Sequence, residues 1–290
     1  MMIHSDLHIH IFMNGYDYKK AVQDNRYGVD EAHVREVLSS YRDAGFTLLR
    51  EGGDHYGASI YAKEIASDFG ITYLSPVFGT YKKGLYGSVV GRSWETFSDF
   101  RALVEEAKAK GCDFIKIMST GILDFDRFGV VSKGALTYEE LREIVNIAHG
   151  EGFKVMSHTN GNENIVNAAR AGVDSIEHGY YAGNEAIQAI VETKTVWVPT
   201  AVTSWNLQKS NRFDAENVRR IAHDHISNVM KGIDAGANIG VGSDAGAFMV
   251  GHVTGALGEY ELITTTYRGD KDIDGILVST ERLIAGWADR

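Results

Sequence analysis

The sequence predicts an α/β chain folded as a (β/α)8 TIM barrel, and three observations predict it. Eight short apolar runs alternate with longer helix-patterned stretches at a fairly even pitch along 290 residues. No Gly-rich phosphate fingerprint follows the first run, although an open doubly wound sheet usually carries one there. Histidine, lysine, glutamate and aspartate residues fall at or near the ends of five of the eight runs, where such barrels collect their chemistry.

The first run, Ser5-Asp6-Leu7-His8-Ile9-His10-Ile11, alternates with the period of a strand. Residues two apart share a face, so the two imidazoles sit side by side, about 7 Å apart by the strand rise. A polar loop over 14–30 precedes a helix in which Ala32, Val34, Val37, Leu38 and Tyr41 recur at helical spacing and Ala44-Gly45 gives the stop. Residues 46–50 read as the second strand, 59–69 as a helix ending at Gly70, and 71–75 as the third strand. A Gly- and Tyr-rich loop is expected over 78–91, then a helix over 94–110 closed by Gly111 and a fourth strand over 114–118. Thr137 with Glu140 three residues on is a capping-box start for a helix running to His149-Gly150.

The rhythm then repeats. Strand five spans 154–158, a helix spans 164–171, and strand six lies within 173–178. A helix follows over 185–192, then strand seven over 196–199, a long helix over 215–235 and strand eight over 238–242.

Composition narrows the function classes. Hydrophobic residues make up 44% and charged ones 23%, as in a packed globular core. The net charge of -10, with no basic cluster, argues against a nucleic-acid partner. The single Cys112 excludes an internal disulfide framework and points to a reducing, cytoplasmic compartment. No apolar run is long enough to span a bilayer and no signal segment opens the chain, so no membrane partner is expected. With two prolines, Pro76 and Pro199, and no low-complexity tract, residues 1–290 read as one domain.

The strand ends present His8 and His10, Lys116, His158, Glu177 and His178, and Asp244 just after strand eight. Singly, a histidine there is an ordinary hydrogen-bonded rim residue and Asp244 a helix cap. Lys116 shares a face with Phe114 and Met118, and lysine is almost never buried unpaired. Together they point to a metal site.

The set His8-X-His10, Lys116, His158, His178 and Asp244 resembles the amidohydrolase superfamily of metal-dependent hydrolases. Phe114-Ile-Lys-Ile-Met-Ser-Thr-Gly121, Leu136-Thr-Tyr-Glu-Glu-Leu141, Ala148-His-Gly-Glu-Gly152 and Ala171-Gly-Val-Asp-Ser-Ile-Glu-His-Gly179 resemble its imidazolonepropionase-like branch, which contains Xaa-Pro dipeptidases. The resemblance covers nearly the whole barrel. It implies that His8, His10 and Asp244 bind one metal ion, that His158 and His178 bind a second, and that a carboxylated Lys116 bridges them.

The residues make chemical sense of those roles. An ammonium has no lone pair, so Lys116 ligates only after CO₂ turns it into a carbamate with two oxygens. A hydroxide bridging two divalent ions is a nucleophile at neutral pH, and Asp244 is placed to take its proton and return it to a leaving amine. Histidine and carboxylate donors suit Zn²⁺, two per chain, and accept other divalent ions. The expected reaction is hydrolysis of an amide or peptide-type C–N bond in a small molecule, a dipeptide or N-acyl amino acid. A lactonase or esterase on the same site, or a Schiff-base lyase using Lys116, are the alternatives.

Tyr180 and Tyr181 follow His178-Gly179 and are expected to hydrogen-bond substrate. Arg92, in the stretch after strand three with Tyr81, Lys82, Lys83 and Tyr86, is expected to meet an anionic end group, and Arg127 lies in the loop after strand four. The resemblance also implies a departure. Only seven residues precede His8 and 46 follow Asp244, too few for the small β-sandwich usual in this branch, so a bare barrel is expected. Its apolar ends (Met1, Met2, Ile3, Leu283, Ile284, Trp287) then need cover, which predicts a homo-oligomer.

Overall fold

The computed structural model describes residues 3–288. Its elements in order are β1 (Ser5–Ile9), α1 (Tyr18–Asn25), α2 (Glu31–Asp43), β2 (Leu48–Glu51), α3 (Ala58–Ile65), β3 (Thr72–Leu74), β4 (Gly79–Lys82), β5 (Gly91–Trp94), α4 (Phe97–Ala109), β6 (Ile115–Met118) and α5 (Tyr138–Gly150). They continue with β7 (Val155–Thr159), α6 (Asn162–Ala171), β8 (Ser175–His178), α7 (Asn184–Thr193), β9 (Val196–Val198), α8 (Val202–Leu207), α9 (Ala215–Ala235), β10 (Asn238–Ile239), α10 (Thr254–Thr266) and α11 (Ile273–Ala285).

Every strand pairing is parallel, and the helices cover the outside of a (β/α)8 barrel. One sheet has the order β1-β2-β3, the other β10-β9-β8-β7-β6-β4-β5. They meet at two seams. At one, the chain beyond β10 runs beside β1: Leu7 N donates to Val241 O at 2.9 Å, Asp244 N to His8 O at 2.7 Å and His10 N to Ala245 O at 2.8 Å. At the other, Asp113 N donates to Ser75 O at 2.8 Å.

The region expected as a loop over 78–91 is the main departure. The third barrel strand is broken at Val77, whose φ is +68°, and resumes as β4 against β6, with β5 added at its edge. Trp94 therefore ends a strand instead of opening the helix, and α4 starts at a capping box between Thr96 and Asp99. The expected loop over 14–30 contains α1, capped by Asp17, and strand eight shortens to β10. The Thr137–Glu140 capping box forms as expected.

The apolar residues near the two chain ends are for the most part covered. Ile284 and Trp287 are buried against Leu7, Leu48, Leu74, Phe114, Met156, Val196 and Val198, and Ile3 is buried as well. Only Leu283 of that set is exposed, at 52%, while Met1 and Met2 lie outside the described residues. Intramolecular packing thus covers Ile3, Ile284 and Trp287 within the chain. No described helix is long and apolar enough to cross a membrane.

Candidate metal centre

The strand period turns His8 and His10 to the same side of β1, with ring centroids 5.4 Å apart. β7 delivers His158 and β8 delivers His178, centroids 4.6 Å apart, and His178 lies 5.0 Å from His8. The seam beside β1 brings Asp244 over, its Oδ1 3.4 Å from His10 Nε2 and 3.6 Å from His8 Nε2. Ligand atoms of His8, His10 and Asp244 lie within 4.8 Å of one another, close enough to share one cation. Lys116, on β6, is buried, and all six side chains line one cavity of about 540 Å³.

Each imidazole has one ring nitrogen engaged by the fold, which leaves the other for the cavity. His8 Nδ1–H donates to Glu177 Oε2 at 2.8 Å and His10 Nδ1–H to Gly53 O at 3.0 Å. His158 Nε2–H donates to Gly121 O at 3.0 Å, and His178 Nδ1 is 2.8 Å from Thr200 Oγ1. Carboxylate and carbonyl oxygens only accept, so they fix the tautomer and leave a lone pair on the opposite nitrogen. A set of unprotonated imidazole nitrogens beside a carboxylate is the donor chemistry that a divalent transition metal takes.

The backbone is shaped to that end. His178 and Asp244 have φ of +65° and +58°, a conformation that costs a non-glycine residue about 1–3 kcal/mol. Trp197 Nε1 holds the first by donating to His178 O at 2.8 Å, and the Asp244 N–H bond to His8 O holds the second. Gly52 leaves room for the rings, since a Cβ there would lie 2.6 Å from His10 Cε1 and 2.7 Å from His8 Nε2.

Electrostatics divides the site in two. Burial, reinforced by the Lys116 charge, pulls His158 down to about 3 and also pushes His8 well below the usual histidine value; burial and the neighbouring histidines do the same to His178. These three stay neutral. Burial lowers His10 too, yet Asp244 and Glu51 outweigh it and raise His10 to about 9. That side of the site favours a positive charge, and a metal ion and a proton compete for the same nitrogen. Burial, with Arg50 adding to it, lowers Lys116 to about 8, so a fraction of neutral amine is present near neutral pH.

A charged layer beneath the ligands lies outside the set of roles read from the sequence. Arg50 donates to both oxygens of Glu177 at 2.9 Å and to Leu7 O at 2.7 Å. Glu51 accepts from Tyr73 Oη at 2.5 Å and from Ile11 N at 3.1 Å. Asp6 accepts from Ser243 N at 2.9 Å and from Tyr41 Oη at 2.8 Å, fixing the residue next to Asp244. Their one sequence signal is charge inside an otherwise apolar strand run.

Of the expected substrate contacts, Tyr180 lines the cavity, with its hydroxyl 2.6 Å from Thr203 Oγ1 and its ring stacked on His225 at 3.8 Å. Two others do not line it. Arg92 is absent from the cavity lining because its guanidinium pairs with Glu106 and lies over Phe78. Tyr181 also does not line the cavity; its ring packs edge-on against Phe128 at 5.2 Å.

A family model described as the Amidohydrolase family matches residues 2–268. The chain is similar to the ochratoxinase of Aspergillus niger, 27% identical over 212 residues, which cover 69% of this chain and 41% of that protein. It thus spans about two fifths of the length of that curated relative. The fold is similar to a crystal structure of a Xaa-Pro dipeptidase with methionine bound in its active site, at a TM-score of 0.75 and 21% identity, covering 98% of this chain and 74% of that one. It is also similar to the crystal structure of A. niger ochratoxinase, at a TM-score of 0.67 and 21% identity, covering 83% of this chain and 62% of that one.

Proposed function

The chain belongs to the amidohydrolase family, and on that premise we propose that it is a metal-dependent hydrolase cleaving an amide-type carbon–nitrogen bond in a small substrate of the dipeptide or N-acyl amino acid class. The observation that carries the reading is the convergence on one cavity of four imidazoles, each with one nitrogen left to the cavity, with Asp244 and Lys116. His8, His10 and Asp244 would hold one divalent ion and His158 with His178 a second, Zn²⁺ being the natural fit for these donors. Lys116, as a carbamate, would stand between them. When bound, such ions lower the pKa of water from 15.7 to about 7 and polarise a carbonyl.

The remaining work falls to the chain itself. Asp244, at the seam between β1 and the segment after β10, receives a proton from the attacking water and passes it to the leaving nitrogen. Glu177 holds His8 in one tautomer and Thr200 orients His178. Side chains such as Leu207, Phe125 and Phe213 along the cavity exclude bulk water and favour an apolar substituent on the substrate.

Elemental analysis of the purified chain, followed by a panel of dipeptides, N-acyl amino acids and lactones, tests the reading. Two transition-metal ions per chain and turnover of a C–N substrate that chelation abolishes are the expected results. Full activity after exhaustive chelation would overturn it, and faster lactone than amide turnover would move the reading to ester chemistry.

A further inference from the structure

The cavity wall carries one arginine. Apart from Lys116, Arg212 is the only lysine or arginine among the described cavity-lining side chains. It sits between α8 and α9, with its guanidinium carbon 4.8 Å from the Phe248 ring centroid and 5.3 Å from that of Phe213. Phe213 packs in turn on Phe125 at 5.4 Å. The stretch is tied to the loop after β6, because Asp214 N donates to Asp126 Oδ1 at 2.8 Å and Asn217 Nδ2 to Asp126 O at 2.9 Å.

Four other cations in the rim loops have carboxylate partners: Lys82 with Glu140, Lys83 with Glu95, Arg92 with Glu106 and Arg127 with Asp124. Among the described residues no carboxylate pairs with Arg212. Ring stacking occupies the faces of a guanidinium and leaves its N–H edges available, and those edges match a carboxylate in a two-point contact.

We propose that Arg212 is a specificity-determining residue that takes the free carboxylate of the substrate, with the adjoining apolar group resting on Phe213 and Phe248. The inference rests on the hydrolase reading for the position of the scissile bond, and it narrows the substrate class to anionic molecules with an apolar or aromatic substituent.

The test uses the metal-loaded full chain and two ligand pairs. Benzoate release is measured from N-benzoylphenylalanine and from its carboxamide. Binding is measured by calorimetry for N-benzylphenylalanine and its carboxamide, which lack the scissile amide. The wild type is expected to prefer the carboxylate member about tenfold in both assays, through KM in the first, consistent with one charge-assisted contact. Arg212→Met should bring the two members within about twofold of each other, and Arg212→Lys should restore part of the preference. A preference that survives in Arg212→Met means that the metal or another group takes the carboxylate, and the proposal falls. It falls equally if the wild type binds both members alike or neither. An Arg212-dependent binding preference without benzoate release overturns the hydrolase reading and upholds the carboxylate contact; release without that preference does the reverse.

Discussion

Glu177 Oε2 stands 2.8 Å from His8 Nδ1, and the same carboxylate receives Arg50 through both of its oxygens. All three side chains are buried. The guanidinium neutralises the carboxylate, and the carboxylate fixes which nitrogen of His8 carries the proton. A ligand is thus oriented by a charge pair that lies beneath it.

Glu177→Gln should weaken metal binding by about 10–100-fold, the usual cost of losing such a partner, as read by competition with a chromophoric chelator. It also leaves Arg50 buried without its counter-ion, which should cost about 3–5 kcal/mol in urea unfolding. Unchanged metal affinity would show that His8 does not depend on Glu177 for its orientation.

Lys116→Ala should lose most of the bound metal and activity, and added acetate or propionate should restore part of both by supplying the two oxygens of the missing carbamate. Metal content and turnover, with and without the added acid, decide the matter. A variant with full metal content and rate would remove Lys116 from the site.

Much of this was legible in the residues, for physical reasons that also mark where legibility stops. Parallel strands buried on both faces write themselves as short apolar runs, which is why β6 can be read directly. The period of β1 places His8 and His10 together before any coordinates exist. By contrast, β4 and β5 (GTYK and GRSW) carry no apolar run and are held by backbone pairing to neighbours, so they read as loop. Arg50 reads as the polar end of the second strand and Glu51 falls just outside it, because pairing with Glu177 and Tyr73 is not local in sequence. Arg92 and Tyr181 show a different limit. Membership of a loop near the rim does not set side-chain direction, and both turn toward other partners. Arg212 belongs to no motif, and its approach to both Phe213 and Phe248 emerges only in three dimensions.

Asp244→Asn keeps an oxygen near His8 and His10 but cannot carry a proton. It should retain most of the metal and lose about 10²–10⁴-fold in kcat, the range for removing a general acid–base group. Steady-state kinetics on the best amide of the panel, beside metal analysis of the same preparation, checks both halves. Near wild-type turnover would exclude Asp244 as the proton carrier.

The last prediction concerns Glu259, on α10, which ties the outside of the barrel to the site. It is fully buried and accepts from Ala201 N at 3.0 Å and Val202 N at 2.6 Å, clamping the segment beside Thr200, the partner of His178. Burial raises its carboxyl from 4.5 to about 8 despite those two donors. The sign follows from the proton count. Between about pH 4.5 and 8 the folded chain holds a proton on Glu259 that the unfolded chain has released, so its contribution to stability is full below that window and falls as pH rises through it. At about 1.4 kcal/mol per unit the whole effect is of order a few kcal/mol. Asp6 and Asp54, raised by burial to about 6, act with the same sign but finish near that pH. The interval from pH 6.5 to 8.5 therefore isolates Glu259 from both. Across that interval the urea midpoint of the metal-loaded wild type should follow a more negative slope with pH than that of Glu259→Gln. Parallel slopes for the two proteins would mean that Glu259 is already ionised in the fold and that its two backbone donors outweigh burial.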